Sequence, residues 1–144
     1  MSRIAVDFDG TLVTKAWPGI GEWFPGAIRS MHELREAGHH VFLYSSRLNP
    51  CWPDGRERDP GEWEAELRRV REMLDSAGLA WMEIFTDIKQ GKPHFDLLID
   101  DKAMFFPGRP GSWSKILPAV LLKVGDEDSF EAVMAEADRR TEDE

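Results

Sequence analysis

The chain has 144 residues, of which 42% are hydrophobic, and a formal net charge of −9. That length is typical of one domain with a single core, and no segment approaches the roughly 18–20 apolar residues that a membrane span needs. The acidic charge disfavours nucleic-acid binding, which depends on clustered Lys and Arg that neutralise phosphates.

The amino terminus and the cysteine content bear on the cellular compartment. Residues 1–8 lack the long apolar stretch of a signal peptide. Cys51 is the single cysteine, so an internal disulfide is excluded and a reducing compartment is favoured. We therefore expect a cytoplasmic protein with no membrane partner.

Apolar and polar segments alternate along the chain in a strand–helix order. The pattern predicts, in chain order, a strand at Arg3–Asp7, a helix at Pro25–Ala37, a strand at His40–Ser45, a loop at Leu48–Arg58, a helix from Asp59 to Ala77, strands at Met82–Thr86 and Phe95–Ile99, and a last helix at Phe130–Ala137. This order predicts a doubly wound α/β fold, with a mostly parallel sheet and helices on both faces. We expect residues 1–124 to form the core and residues 125–144, with nine Asp and Glu against two Arg, to form an acidic helix or tail.

Acidic and hydroxyl side chains follow the predicted strands. Asp7 and Asp9 come after the first strand, Ser45 ends the second, and Asp100 and Asp101 come after the last. Ligands of such sheets bind at the carboxyl ends of the strands, so we expect these side chains at one edge. Crowded carboxylates repel one another, so either a cation is present or some of them stay protonated. Mg²⁺, which prefers oxygen ligands, is the natural cation.

Positive and hydrogen-bonding groups complete the predicted site. Lys92 precedes the last strand and adds a fixed positive charge that, with Mg²⁺, suits a dianionic phosphate. We expect Ser45 and the backbone N–H groups of Gly10 and Thr11 to donate hydrogen bonds to phosphate oxygens.

Four segments of the chain resemble, in order, the four motifs of the haloacid dehalogenase-like (HAD-like) superfamily. The segments are Asp7–Leu12 (Asp-Phe-Asp-Gly-Thr-Leu), Val41–Ser45, Gly91–Pro93 and Leu97–Asp101. The resemblance covers residues 3–102, and the four motifs in order make it specific. It implies a Rossmann-like HAD fold and phosphatase activity.

The resemblance also implies a role for each matching position. Asp7 looks like the nucleophile that becomes an aspartyl phosphate, and Asp9 looks like the general acid and base. Ser45 and Lys92 would hold the phosphoryl group.

The metal ligands follow from the same resemblance. They would be Asp7, the backbone carbonyl of Asp9, and Asp101. Asp100 would support Lys92 or a water on the metal.

Motif spacing limits the size of any insertion. Only 35 residues separate Asp9 from Ser45, and 46 separate Ser45 from Lys92, which leaves no room for the cap domain of larger family members. The segment Phe95–Ala103 also resembles the corresponding part of 5′-nucleotidases that act on deoxynucleotides, although those carry a small helical cap that this chain lacks.

Aromatic and basic residues on the loops are candidates for substrate binding. Trp17, Trp23 and Trp52 lie on the loops after the first two strands, where they would stack on a base or sugar or cover the open site, with packing as the alternative. Arg47 follows Ser45 closely and is a candidate contact for a substrate anion.

Two other kinds of protein site also gather acidic residues, but they fit this sequence less well than a phosphatase site does. An EF-hand loop beginning at Asp7 would have Leu12 and Pro18 where glycine and glutamate are required. A phosphorylation-receiver domain has its acids in a different order.

The sequence therefore predicts a Mg²⁺-dependent phosphomonoester hydrolase acting on a small phosphorylated metabolite, with nucleoside monophosphates as the leading group. A nucleic-acid end-processing phosphatase is an alternative that the open site favours and the charge disfavours. A HAD-fold binding module without turnover is the other. We expect the helix at Phe130–Ala137 to offer a homodimer surface.

Overall fold

Among the described residues of the amino-terminal part of the chain, four parallel strands form a sheet. The computed structural model describes residues 1–52, 54–86, 91–103 and 108–142. The strands are β1 (Arg3–Val6), β2 (His40–Leu43), β3 (Glu83–Ile84) and β4 (Leu97–Ile99), in the spatial order β3-β2-β1-β4. Every pairing between them is parallel.

Helices follow the strands in the alternating order that the sequence predicts. They are α1 (Ala27–Glu36), α2 (Pro60–Ser76), α3 (Ser112–Lys123) and α4 (Glu127–Glu142), with one 3₁₀ turn at Ser46–Leu48. The protein is thus an α/β protein whose all-parallel sheet is flanked by helices, which confirms the predicted class at that level. Within the described ranges, none of the helices combines the length and the apolar character needed to cross a membrane.

The core lies on the two central strands and the helix faces packed against them. Consecutive residues of β1 and β2 are buried, as expected for a sheet that is covered on both sides. The largest fully buried side chains include Phe8, Phe42 and Leu43 from the sheet region and Val70 and Leu74 from α2.

Helix α2 begins where its sequence predicts. The Asp59 side chain accepts a hydrogen bond of 3.1 Å from the Gly61 N–H, which satisfies one of the unpaired donors of the first turn. Pro60 occupies the first turn, where its missing N–H is not needed. This cap fixes the start of α2, the helix that contains the buried residue Glu66.

The chain divides into two compact units, Met1–Ala103 and Met104–Glu144. In the second unit, α3 packs against α4. The division falls earlier than the boundary predicted at residue 124, because the helix α3 was not predicted. Pro118 lies inside α3, and proline in a helix interior normally argues against a helix.

Replacing Leu74 by Ala is expected to lower the free energy of unfolding of the protein by about 2–5 kcal/mol. Leu74 of α2 is fully buried in the same apolar cluster as Val6 and Leu43, so its truncation leaves a cavity. Urea denaturation followed by circular dichroism measures the loss. Glu72→Ala, at an exposed position of the same helix, is the control and should change stability little. Equal effects of the two substitutions would contradict this description of the core.

Candidate functional site

The register of the sheet brings the ends of three strands together. Val6 of β1 pairs with Leu43 of β2 on one side and with Ile99 of β4 on the other. The residues that follow, Asp7 and Asp100 among them, therefore lie side by side at the carboxyl edge. The Asp7 N–H continues the ladder by donating a 2.9 Å hydrogen bond to the Ile99 carbonyl.

Three carboxylates meet at this edge. Asp7, Asp100 and Asp101 each offer an oxygen within 4.8 Å of the others. Burial raises the pKa of Asp7 to about 6, and the charges of Asp100, Asp101 and Asp9 act in the same direction, while a hydrogen bond from the Phe8 N–H opposes them. The nucleophile predicted from the sequence thus lies where negative charge is least favourable without a cation.

The donor set of this triad fits a hard cation. Lys15 Nζ lies 2.7 Å from Asp101 Oδ2, and this contact lowers the pKa of the Asp101 carboxyl. The other oxygen, Asp101 Oδ1, is buried and has no hydrogen-bond partner in the described part of the chain. Lys15 pairs with one of the three carboxylates, and the oxygens that remain are of the kind that a divalent ion with retained waters binds.

Gly10 provides the space in which this contact forms. Its φ of +80° is a conformation that L side chains rarely adopt. A Cβ atom at this position would lie 2.6 Å from Lys15 Cε and 2.7 Å from Asp101 Oδ2. Any larger residue would therefore displace Lys15 or Asp101.

The backbone donors predicted to bind phosphate are already used within this turn. The Gly10 N–H donates to the Val13 carbonyl at 2.7 Å, and the Thr11 N–H donates to the Phe8 carbonyl at 3.2 Å. In this arrangement neither N–H is available to a phosphate oxygen, because the tight turn needs both to close on itself. The Thr11 hydroxyl is buried and has no hydrogen-bond partner among the described residues.

A cavity of about 470 Å³ opens in front of the carboxylates. Four of its lining residues are ones that the sequence predicts for the site: Asp7, Ser45, Lys92 and Asp100. Asp9 and Asp101 are not among its lining residues. Tyr44, Phe85 and Lys102 also line it.

The hydrogen-bonding and charged groups of this cavity suit an anion. Ser45 is buried, and its Oγ accepts a 3.3 Å hydrogen bond from the Arg47 N–H, which leaves the hydroxyl proton free to be donated. Lys92 is exposed, with Nζ 5.0 Å from the centroid of the Phe95 ring. A hydroxyl donor and an ammonium thus face the same space as the Asp7 carboxylate.

Asp9 does not join the triad, because Arg47 holds it. Arg47 Nε donates to Asp9 Oδ2 at 2.8 Å, and Arg47 Nη2 donates to Asp9 Oδ1 at 2.7 Å. Both carboxylate oxygens are therefore engaged by one guanidinium. The proposed metal contact of Asp9 through its backbone carbonyl stays a prediction.

Arg47 has no donor left for a substrate anion in this arrangement. Its side chain is only 1% exposed. Besides the two bonds to Asp9, its N–H groups donate to the carbonyls of Pro18 (3.2 Å) and Gly19 (2.7 Å) and to the Glu66 carboxylate. A guanidinium has five N–H donors, so the set is complete. The substrate contact predicted for Arg47 stays a prediction, and in this structure its guanidinium contacts Asp9 and Glu66.

The three loop tryptophans separate into two groups. Trp23 packs edge-on against Phe8, with ring centroids 6.3 Å apart, and contacts the core. Trp17 and Trp52 are 56% and 39% exposed and line a second, smaller cavity beside Asp9. Packing is thus the role that the structure gives Trp23.

Three residues of this region were missed by the sequence analysis: Lys15, Glu66 and Lys102. Glu66 carried a usable signal, because it lies three residues after Trp63 and four before Val70 on the buried stripe of α2. An acid at such a position needs a buried partner. No sequence pattern distinguishes Lys15 or Lys102 from a solvated lysine.

Comparison with known proteins gives one informative match. No family model matches the chain, and no curated protein matches it. A solved structure, described as that of a conserved protein coded by a locus from Bacteroides thetaiotaomicron, has 30% sequence identity and a TM-score of 0.53. The alignment covers 85% of this chain and 91% of that one. The two proteins belong to one family. That description names no activity, so the function of this family member has to be argued from its site.

Replacing Arg47 by Gln is expected to lower the free energy of unfolding of the protein by about 3–5 kcal/mol, because Asp9 and Glu66 lose a buried charged partner. Chemical denaturation measures the change. Arg69→Gln is the matched control, since Arg69 also bonds to Glu66 but is 51% exposed, and its loss should amount to about 1 kcal/mol or less. An Arg47→Gln protein as stable as the Arg69→Gln protein would contradict the central position of Arg47.

Proposed function

We propose that this protein is a phosphomonoester hydrolase of the HAD-like type, with Mg²⁺ as cofactor and a covalent phosphoaspartate formed on Asp7. The proposed substrate is a small phosphorylated metabolite, with nucleoside monophosphates as the leading group. One observation carries the proposal: Asp7, Ser45, Lys92 and Asp100 line one cavity of about 470 Å³ at the carboxyl edge of a parallel sheet. A nucleophile, a hydroxyl donor and a positive charge around one space suit a phosphoryl group.

The metal would be held by the carboxylates of Asp7, Asp100 and Asp101. Their spacing within 4.8 Å and the unpartnered Oδ1 of Asp101 support this assignment. When bound, Mg²⁺ would neutralise part of their charge and polarise the phosphoryl group.

The proposed first step is attack by an Asp7 carboxylate oxygen on phosphorus. A bond forms between that oxygen and phosphorus while the bond from phosphorus to the leaving oxygen breaks. The Ser45 hydroxyl and the Lys92 ammonium hold the phosphoryl oxygens. Asp9 gives a proton to the leaving oxygen, so that an alcohol departs.

The proposed second step reverses the role of Asp9. Asp9 takes a proton from water, the water oxygen bonds to phosphorus, and the bond between phosphorus and Asp7 breaks to release phosphate. Arg47 donates one hydrogen bond to each oxygen of Asp9, and each oxygen keeps a second lone pair that can carry the proton. Arg47 is thus proposed to position Asp9 through the cycle.

We further propose that the catalytic core works without a cap domain. The loops after β1 and β2 then supply the walls that exclude water from the phosphoaspartate. Trp17 and Trp52 on these loops are exposed aromatic side chains next to the site. A small molecule, rather than a polymer, suits a cavity of this size, and the net charge of −9 does not favour nucleic acid.

Purified protein is expected to release phosphate from a small generic ester only when Mg²⁺ is present. EDTA should abolish the activity and added Mg²⁺ should restore it. Asp7→Asn should be inactive, because an amide cannot form the aspartyl phosphate. Asp75→Asn, an exposed position on α2, is the matched control and should keep the wild-type rate. Wild-type turnover by Asp7→Asn would remove the proposed nucleophile.

If Asp9 has the proposed double role, the loss of rate in an Asp9→Asn variant should depend on the leaving group of the ester. Asp9→Asn should slow hydrolysis of esters with poor leaving groups in the first step, because the departing oxygen then needs a proton. With a good leaving group the first step should suffer less, so rapid quench should show a burst of phosphoenzyme followed by slow turnover. Circular dichroism should verify that the variant is folded. Equal losses for good and poor leaving groups, with no burst, would exclude the double role.

A further inference from the structure

A second cavity, of about 210 Å³, lies beside the first one. Its walls include a carboxylate, two indoles, a guanidinium and two polar side chains, from Asp9, Trp17, Trp52, Arg58, Ser46 and Asn49. Ser46 and Asn49 also line the larger cavity. The two spaces are therefore neighbours that share part of one wall.

The two indoles of the second cavity are each held by a guanidinium. The Arg47 guanidinium carbon lies 4.7 Å from the centroid of the Trp17 ring, and that of Arg58 lies 4.9 Å from the centroid of the Trp52 ring. A cation over an indole favours that orientation of the ring and covers only one of its two faces. Large exposed aromatic side chains with a preferred orientation are typical of binding surfaces.

Arg58 is itself fixed by the loop that it supports. Its Nη1 donates to the carbonyls of Arg47 and Asn49. Arg58 thus ties the segment that carries Trp52 to the segment that carries Arg47, so the positions of the two indoles depend on one another.

Asp9 relates this cavity to the proposed reaction. Asp9 lines the second cavity and is not among the lining residues of the first, whereas Asp7, Ser45 and Lys92 line the first. The residue proposed to protonate the leaving oxygen must lie on the leaving-group side of the phosphorus. The phosphoryl group then belongs in the larger cavity and the leaving group in the smaller one.

We propose that the smaller cavity, lined by Trp17 and Trp52, is the leaving-group subsite and that it takes a planar aromatic ring. This inference rests on the proposed function for the position of the phosphoryl group. The ring belongs either to an aryl group bonded directly to the phosphate or to a base carried on a sugar, and in both cases it stacks on the indoles.

The binding of phosphonates, which have no P–O–C bond to hydrolyse, tests the subsite apart from catalysis. Phenylphosphonate and cyclohexylphosphonate have similar size, and in a buffer basic enough for both to be dianions they carry the same charge. Their difference in affinity then isolates the aromatic contribution. In the presence of Mg²⁺, isothermal titration calorimetry should give an affinity about two- to tenfold higher for phenylphosphonate.

Tryptophan variants test whether the indoles cause the preference for phenylphosphonate over cyclohexylphosphonate. Trp17→Leu and Trp52→Leu should each reduce this preference, while Trp52→Phe should keep most of it. Phe24→Leu is the matched control, because Phe24 is 39% exposed, as Trp52 is, and lines a different cavity. Equal affinities for the two phosphonates in the wild-type protein, or a preference that survives both tryptophan substitutions in folded protein, would overturn the subsite.

A matched pair of esters distinguishes the two sources of the ring. Uridine 5′-monophosphate and ribose 5-phosphate share the same leaving oxygen, so a higher kcat/KM for the nucleotide supports a base carried on a sugar. Preference for phenylphosphonate alone supports a directly bonded aryl group. Asp7-dependent hydrolysis with neither preference overturns the subsite and leaves the proposed function standing. If the tryptophan variants lose the preference for phenylphosphonate but the protein hydrolyses no ester, the aromatic subsite is supported and the proposed function is overturned.

Discussion

Mutual repulsion of carboxylates at the carboxyl edge of the sheet is the constraint around which this site is arranged. Oxygens of Asp7, Asp100 and Asp101 lie within 4.8 Å of one another. Burial, together with the negative charges of Asp100, Asp101 and Asp9, raises the pKa of Asp7 to about 6. Lys15 compensates part of that charge at Asp101, and the glycine at position 10 makes room for this contact. A bound divalent cation would complete the compensation.

The fourth acid of this region, Asp9, is paired with Arg47 and does not belong to the triad of Asp7, Asp100 and Asp101. The guanidinium engages both of its oxygens and, on the other side, the Glu66 carboxylate of α2. A buried arginine needs every donor satisfied, and here the last two reach the carbonyls of Pro18 and Gly19. One side chain therefore joins the loop after β1, the turn after β2 and helix α2. The same guanidinium supports Trp17, so the wall of the smaller cavity depends on this arrangement as well.

Much of the fold and part of the site could be predicted from the sequence because they depend on local patterns. Buried strands that end before acids placed Asp7 and Asp100 at one edge, and the Asp59-Pro60 pair marked the start of α2. The partners of Arg47 lie 19 to 38 residues away along the chain, so no spacing rule finds them. The helix α3 lies outside the predicted elements because Pro118 interrupts its pattern. The use of the Gly10 and Thr11 N–H groups within their own turn depends on backbone geometry that the motif alone does not specify.

A covalent phosphoaspartate on Asp7 is the central claim, and chemical trapping tests it most directly. Protein mixed with a phosphate ester and Mg²⁺ is quenched with borohydride, which reduces an aspartyl phosphate to homoserine, and the peptides are analysed by mass spectrometry. We predict homoserine at position 7 and unmodified aspartate at positions 9, 100 and 101. Reduction at another carboxylate, or at none throughout a time course in which phosphate is released, would contradict the account.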